Sequence, residues 1–325
     1  MSDFVFGPVP SRRFGRSLGV NPVPFKTCNY SCIYCQLGRT RHIRSERCEY
    51  SPTSEVVDEI RSSLEACHYR ADFVTFMGEG EPTLAMNLGD MAHATRDFWK
   101  GGMGLITNGS MFFSPEVRET AMEFDVVSPT IAAGDERTYR RMHRPHRSFT
   151  LQKMLEGLAE FRRSFPGEIW AEVMLVRGVN DSLESLQSIR SAILSIGADR
   201  TFVAAPIRPP AEDWVLPPER VAVDLALEVL PGAEDMTYPE SGEFTGISPD
   251  PIAHILTIAA SHPLRMDQIE AILFAEYSED EVVRILNGLI EEGRLERKRY
   301  GETVFYRAPL PGTNLSRASR GPPTR

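Results

Sequence analysis

Short apolar segments alternate with amphipathic segments between residues 18 and about 230, and this alternation limits the possible folds more than any other feature. The amphipathic segments carry apolar residues at helical spacing, as residues 53–66 and 151–161 illustrate. Repeated strand–helix units favour a parallel sheet, so the pattern predicts an α/β fold, a partial (β/α)6 TIM-like barrel, with an open doubly wound sheet as the alternative. The predicted strands are residues 18–23, 73–77, 104–107, 124–128, 170–176 and 201–205.

Unusual loops follow these strands. They read KTCNYSCIYCQ, GEGEPTL, TNGS, PTIAAGDE, RGVNDS and APIRPPAED. In parallel βα architectures the loops at the carboxyl ends of the strands meet on one face. A cysteine cluster, an acidic glycine-rich turn and several Asn and Asp residues would then share one rim, which predicts an active site there.

Composition narrows the class of protein. The chain has 325 residues, 42% of them hydrophobic, and a formal net charge of -9, which argues against a protein built mainly to bind phosphate backbones. It has no apolar run long enough to span a membrane, and its first residues lack the pattern of a signal peptide. We therefore expect a cytoplasmic protein that does not enter a membrane.

The pattern changes after residue 231, and the changes suggest domain boundaries. We expect a basic arm over residues 1–17, the barrel over 18–231, a Gly/Pro-rich linker over 232–250 and a disordered tail over 309–325. Between linker and tail, three helices near residues 251–261, 265–274 and 278–292 precede strand-like residues 295–299 and 303–307. This order predicts a small winged-helix domain over residues 251–308, with Ser278 and Glu281 forming a capping box.

The predicted third helix of that domain, SEDEVVRILNGLIEEGR, is acidic, so phosphate repulsion disfavours its insertion into a nucleic-acid groove. The predicted wing, RLERKRYGET, is basic. We favour a domain that packs against the barrel or a second subunit, or that recruits a protein, over one that reads DNA.

The cysteines Cys28, Cys32 and Cys35 form one cluster in the first loop. A structural zinc site would need a fourth ligand, which His42 or Cys48 is near enough in sequence to supply. Cys32 and Cys35 alone would make a redox pair. An iron–sulfur cube is the third option: each iron takes one thiolate, so three cysteines would leave one iron open for another ligand.

The spacing CNYSCIYC resembles the CxxxCxxC signature of the radical S-adenosylmethionine (radical SAM) enzymes. GEGEPTL resembles that family's glycine–glutamate–proline turn, and TNGS resembles the end of its third strand. The runs GPVPSRRFGRSLGVNPVPFKTC, DERTYRRMHRPH and VMLVRGVNDS resemble its wyosine-synthase-like subgroup, so the likeness covers roughly residues 5–215. Cys48 and Cys67 do not form the auxiliary cluster that a resemblance to this subgroup would imply. The subgroup's name therefore does not identify a substrate.

The resemblance implies a 4Fe-4S cluster and S-adenosylmethionine (SAM) as cofactors. Cys28, Cys32 and Cys35 would bind three irons, and SAM would chelate the fourth. Reductive cleavage of SAM would then form a 5′-deoxyadenosyl radical that abstracts hydrogen from an unidentified substrate. The implied SAM contacts are Tyr34 near the adenine, the backbone of Gly78, Glu79, Gly80 and Glu81 at the amino group, and Asn108, Ser128 and Asn180.

In one place the chain departs from its relatives, which tend to read Leu-Asp-Ala where this sequence has Ile131-Ala132-Ala133. Ala132 removes an acidic group from the rim. The other candidate side chains are arginines that could meet an anion or could form ion pairs: Arg137, Arg140, Arg141, Arg144 and Arg147, the early Arg12, Arg13 and Arg16, and Arg208.

Two other functions fit the same residues. One is an iron–sulfur regulatory protein whose winged helix binds DNA, and the other is an activase that makes a glycyl radical on a partner protein. As an enzyme, the chain would need an electron donor such as a flavodoxin- or ferredoxin-like protein, and its substrate would be a protein or peptide, or an anionic small molecule.

Overall fold

The computed structural model describes residues 4–240, 250–274 and 276–309. Its strands are β1 Val5–Ser11, β2 Gly15–Val20, β3 Phe73–Phe76, β4 Gly102–Thr107, β5 Val126–Pro129, β6 Glu168–Met174, β7 Arg200–Ala204, β8 Ala233–Met236, β9 Leu264–Arg265, β10 Glu296–Tyr300 and β11 Thr303–Arg307. Its α-helices are α1 Thr53–Ala66, α2 Leu88–Arg96, α3 Pro115–Ala121, α4 Glu136–His143, α5 Leu151–Arg162, α6 Leu183–Ile196, α7 Arg220–Val229, α8 Pro251–Ser261, α9 Met266–Leu273 and α10 Glu279–Glu291. A 3₁₀ turn covers Pro82–Leu84.

The first eight strands form one curled sheet in the order of the chain, and from β2 to β8 each strand is parallel to the next. This is a mixed α/β half-barrel, as the strand–helix alternation predicts. The six predicted strands correspond to β2 through β7 with end shifts of a few residues.

Two strands lie where the sequence suggested no sheet. β1 pairs antiparallel with β2 inside the expected basic arm, and β8 pairs parallel with β7 inside the expected linker. β1 contains Pro8 and Pro10, which cannot donate ladder hydrogen bonds and are tolerated because this strand is at the sheet edge. β8 reads AEDM, too short and too polar to be recognised as a strand.

The helices pack as their apolar spacing predicts. Val56, Val57, Ile60 and Leu64 of α1 are buried in the main core. Helix α5 is capped by Thr150, whose hydroxyl accepts a hydrogen bond from the backbone N–H of Lys153, the usual N-cap arrangement.

Residues 250–309 form a second unit of three helices and the antiparallel sheet β10–β11–β9. Ser278 and Glu281 form the predicted capping box, which is confirmed. Phe6 and Val9 of β1 share a core with Ile255 and Ile258 of α8, so this unit packs directly on the edge of the half-barrel. The linker residues 241–249 and the tail from residue 310 lie outside the described residues.

No helix of the described part of the chain is both long enough and apolar enough to cross a membrane.

Candidate active site

The cysteine loop, residues 26–36, follows β2 and is held in place by backbone hydrogen bonds rather than by regular secondary structure. The N–H groups of Ser31 and Ile33 donate to the carbonyls of His143 and Met142, at 3.0 and 2.9 Å. The loop is therefore fastened to the end of α4, more than one hundred residues further along the chain.

The three thiols of this loop lie in one electrostatic neighbourhood. Burial raises the pKa of Cys28 to about 12, and the pKa of Cys32 is raised by burial and then by the two neighbouring thiols. The ammonium group of Lys26 lies 3.3 Å from Cys35 Sγ and donates to it. The site therefore opposes bare thiolates but offers one cation, as expected where a bound cation would stabilise the charged sulfurs.

His143, to which the sequence assigned no role, lies beside the loop. Its Nδ1 is 3.4 Å from Cys32 Sγ and 3.1 Å from the hydroxyl of Tyr34. Burial lowers the pKa of His143 to about 3, so the ring is neutral near pH 7. The residue orients Tyr34, and nothing in its local sequence distinguished it from an ordinary core histidine.

The glycine-rich turn after β3 lies against the cysteine loop. The N–H of Lys26 donates to the carbonyl of Glu79 at 2.6 Å, and the N–H of Glu81 donates to the carbonyl of Thr27 at 2.9 Å. A Cβ on Gly80 would lie 1.9 Å from that Thr27 oxygen, so only glycine permits this approach. The two motifs that the sequence picked out separately form one structure.

Glu81 connects the turn to the loop after β4. Its buried carboxylate accepts hydrogen bonds from the hydroxyls of Thr83 and Thr107, at 2.5 and 2.6 Å, and from the N–H of Asn108 at 2.7 Å. Burial raises the pKa of Glu81, and these hydrogen bonds act in the opposite direction. The side chain of Glu81 is thus committed to holding the rim together, which leaves the turn's backbone to face a ligand.

Asn108 is also close to the cysteines. Its amide donates to Asn29 Oδ1 at 2.7 Å and lies 4.0 Å from Cys28 Sγ, while its own Oδ1 accepts from the N–H of Ser110. Asn108, a predicted site residue, therefore lies next to the cysteine loop.

Ser128 and Asn180 are both fully buried. The hydroxyl of Ser128 donates to the carbonyl of Trp170, and the amide of Asn180 donates to the carbonyls of Ala132 and Met174. Both side chains are engaged in fixing strand ends, so their roles in SAM binding remain predictions. Ala132 itself is buried among Ile33, Met142, Val176 and Val215.

Asn21 is a site residue that the sequence analysis missed. Its Oδ1 is buried and has no hydrogen-bond partner among the described residues. A Cβ on Gly78, which has φ +147°, would lie 2.7 Å from this oxygen. An unsatisfied buried acceptor is costly, so its position beside the turn indicates a missing donor. Its signal in the sequence is its position as the first polar residue after β2.

Among the described residues, no group of three or more His, Cys, Asp or Glu side chains is placed to hold a metal ion. His42 and Cys48, the two possible fourth zinc ligands, are exposed. Three thiols in one loop, beside the glycine-rich turn and the unsatisfied oxygen of Asn21, fit a cluster that takes one thiolate per iron and leaves one iron open. The nearby Nδ1 of His143 is shared between Cys32 and the hydroxyl of Tyr34.

A family model described as the radical SAM superfamily matches residues 23–188, which include the cysteine loop, the glycine-rich turn and every predicted SAM contact. The chain belongs to the radical SAM superfamily. It is therefore an enzyme of the radical SAM class, whose chemistry uses SAM and an iron–sulfur cluster.

Relatives support this membership over most of the chain. The UPF0026 protein MJ1312 of Methanocaldococcus jannaschii is 32% identical over 311 residues, 93% of this chain and 94% of that protein. A UPF0026 protein of Helicobacter pylori (strain ATCC 700392 / 26695) is 38% identical over 207 residues, 63% of this chain and 67% of that protein. The crystal structure of a radical SAM methyltransferase from Sphaerobacter thermophilus aligns with a TM-score of 0.52 at 15% identity, covering 68% of this chain and 66% of that one, which shows a shared fold.

In this radical SAM enzyme a cavity of about 250 Å³ lies inside the curl of the sheet. Tyr34 and Gln36 of the cysteine loop form part of its wall, and Phe6, Met77 and Ile106 contribute apolar surface. Its charged and imidazole wall residues are Arg12, Arg13, Arg208, Glu172, Glu240 and His262.

The wall is closed by a buried polar network that we call the seam: Arg208, Glu240, His262 and Gln268. Glu240 accepts from Arg208 and from Gln268 at 2.9 Å, and its Oε1 lies 3.1 Å from Nε2 of His262, which also contacts Arg208. Neighbouring His262 and Arg208 lower the pKa of Glu240 although burial opposes this, and burial lowers the pKa of His262 to about 4. The C-terminal unit thus contributes one side chain, that of His262, to the cavity wall of the half-barrel.

The other candidate arginines differ in the groups that they contact. Arg144 forms an ion pair with Glu212, which also holds Arg39 in a two-pronged contact at 2.6 and 2.7 Å. Arg16 pairs with the exposed Asp72. Arg13 and Arg208 also form ion pairs, with Glu172 and Glu240, and both line the cavity together with Arg12.

Proposed function

We propose that this chain reductively cleaves SAM at a single 4Fe-4S cluster, which supplies a 5′-deoxyadenosyl radical that takes a hydrogen atom from a substrate. The observation that carries the proposal is the position of three half-buried thiols of one loop against the glycine-rich turn, where the backbone hydrogen bonds of Lys26 and Glu81 hold them.

Cys28, Cys32 and Cys35 would hold three irons. The ammonium of Lys26 is already hydrogen-bonded to Cys35 Sγ and to the carbonyl of Gly38 at 2.7 Å, so it stays beside the thiolates and offsets part of their charge. Cys48 is exposed, and Cys67 donates its thiol proton to the carbonyl of Leu64, so neither belongs to this set.

The backbone of residues 78–81 would meet the amino group of SAM, and Asn21 would accept one of its hydrogen bonds. Tyr34, held by His143, would lie near the adenine, and Asn108 would contact SAM from the β4 side. Ser128 and Asn180 would act through the strand ends that they fix.

We further propose that the second unit is a winged-helix domain that packs on the barrel, and that the wyosine-synthase-like likeness reports ancestry without a shared substrate. The packing is supported by three polar contacts: Gln36 Nε2 to the carbonyl of Ser261 at 2.8 Å, Lys298 to Asp213 at 3.0 Å, and Tyr300 to the carbonyl of Val215 at 3.3 Å. Lys298 and Tyr300 come from the basic wing, so part of that wing is turned toward the barrel. The electron donor would be a flavodoxin- or ferredoxin-like protein of the cytoplasm.

Anaerobic reconstitution with iron and sulfide, followed by dithionite and SAM, tests the proposal. We expect release of 5′-deoxyadenosine, measured by liquid chromatography and mass spectrometry, even without the true substrate. A reconstituted chain that retains iron and never cleaves SAM would favour the regulatory alternative, and a stable radical on an added partner would favour the activase.

A further inference from the structure

The cavity inside the half-barrel carries an excess positive charge. Its wall holds three guanidinium groups, from Arg12, Arg13 and Arg208, against the two carboxylates of Glu172 and Glu240. Arg13 is paired with Glu172, and Arg208 with Glu240. His262 adds no charge near neutral pH, because its pKa is about 4. One guanidinium, that of Arg12, is left without a carboxylate of its own.

Arg12 uses only part of its hydrogen-bonding capacity. Its Nη1 donates to the carbonyls of Met236 and, at 3.1 Å, Tyr238, at the end of β8. Within the described part of the chain, its Nε and Nη2 have no partner, and a guanidinium offers five N–H donors in a planar fork. Arg12 also lines the cavity.

Arg12 is half-buried and burial lowers its pKa, so a group that neutralises this cation and accepts from its free donors would stabilise it. The rest of the wall shows what kind of group could do so. Phe6, Val9, Met77 and Ile106 add apolar surface to a wall that also carries the charged residues. Such a mixture suits a ligand with one anionic end and an apolar body.

From this geometry we propose that the cavity is the substrate site and that it takes a small carboxylate with an apolar body, whose two oxygens are bound by Arg12. A monoanion neutralises the single excess positive charge of the wall, whereas a phosphate dianion would leave the site with a net negative charge. This inference rests on the proposed function for the chemistry that follows binding, but the binding itself requires no cluster.

The location separates this subsite from the predicted cofactor contacts. Of the predicted SAM residues in the described part of the chain, Tyr34 alone lines the cavity. Tyr34 and Gln36 of the cysteine loop form one part of the wall. The apolar body of a carboxylate bound to Arg12 would therefore lie between Arg12 and the cysteine loop.

Isothermal titration of the full-length chain with phenylacetate, phenylacetamide and phenyl phosphate tests the proposal. We expect phenylacetate to bind more tightly than both others. Arg12→Gln is expected to weaken phenylacetate by about tenfold or more, as is usual for loss of a charged hydrogen-bonding partner. The matched control is Arg16→Gln, four residues away, whose side chain is exposed and pairs with Asp72, and it is expected to leave the affinity unchanged.

Several results would overturn the proposal: equal binding of acid and amide, no binding of any probe, preference for the phosphate, or equal affinities in the two variants. If Arg12→Gln does not fold by circular dichroism, Arg12→Lys replaces it; this variant keeps the charge and loses the fork, so phenylacetate is still expected to bind more weakly than in the wild type. Because 5′-deoxyadenosine release needs no carboxylate and titration needs no turnover, the two proposals can fail separately.

Discussion

The cysteine loop and the seam both contribute to the cavity wall, yet they are built in opposite ways. The cysteine loop takes its chemical groups from one continuous stretch, residues 26–36, and is positioned by backbone hydrogen bonds. The seam takes Arg208, Glu240, His262 and Gln268 from four separate places in the chain, and is held by buried side-chain contacts.

The difference teaches that one site can separate its reactive groups from the groups that stabilise it. A loop held by backbone bonds can lose a side chain without losing its shape. A buried charge network cannot, because removing one partner leaves another charge uncompensated in a medium of low dielectric. Four expectations follow for variants and conditions that test this difference.

The largest effect is expected for Cys32→Ala, which should lose bound iron and 5′-deoxyadenosine formation while remaining folded. Iron per chain and SAM cleavage after anaerobic reconstitution measure the loss, and thermal unfolding checks the fold. Cys48→Ala is the control, because that thiol is exposed and outside the loop. A Cys32→Ala protein that still cleaves SAM would show that the cysteine loop does not supply the reactive groups.

Glu240→Gln should show the reverse pattern, a large loss of stability. The substitution keeps the shape but removes the charge that compensates Arg208, and about 3 kcal/mol of unfolding free energy is expected to be lost. Urea unfolding of the reconstituted protein measures it. An unchanged free energy would show that the seam is not a stabilising contact.

Acid should destabilise the protein through the seam, over a pH range in which the buried His143 beside the cysteine loop also contributes a loss. His262 faces Arg208 and Glu240, and its pKa is lowered from 6.5 to about 4, so the unfolded state binds its proton first as the pH falls. The stability from neutral His262 is complete above pH 6.5 and is lost toward about pH 4, by up to about 3 kcal/mol.

Glu240, whose pKa is also lowered, adds a further loss below its ordinary value of 4.5. Urea unfolding at several pH values tests this, and His262→Gln should flatten the slope between pH 6.5 and 5. A slope that the variant leaves unchanged would assign the acid sensitivity to other groups.

The smallest effect is expected for Glu212→Gln, the same substitution as in the seam, at a buried carboxylate whose partners Arg39 and Arg144 reach solvent. The side chains of these arginines are 66% and 39% exposed, so solvent can hydrate them after the substitution and about 1 kcal/mol or less should be lost. A loss equal to that of Glu240→Gln would show that the exposure of the arginine partners does not distinguish the two networks.

The same contrast explains how much the sequence could predict. Strand–helix alternation predicted six of the strands, and the contiguous motifs predicted that the cysteines, the glycine-rich turn and Asn108 lie together. β1 and β8 were missed because proline and acidic residues hide edge strands. Asn21, His143 and the seam were missed because their environment depends on residues distant in sequence, which spacing alone does not report.

Gln36 gives the two regions a common part. Its amide donates to the carbonyl of Ser261 at the end of α8, and its Oε1 accepts from Arg208 at 3.3 Å, one residue after Cys35. A shift of α8 would therefore displace the residue next to Cys35. Removal of the last unit would act at a distance on the cysteine loop, even though every cysteine would still be there.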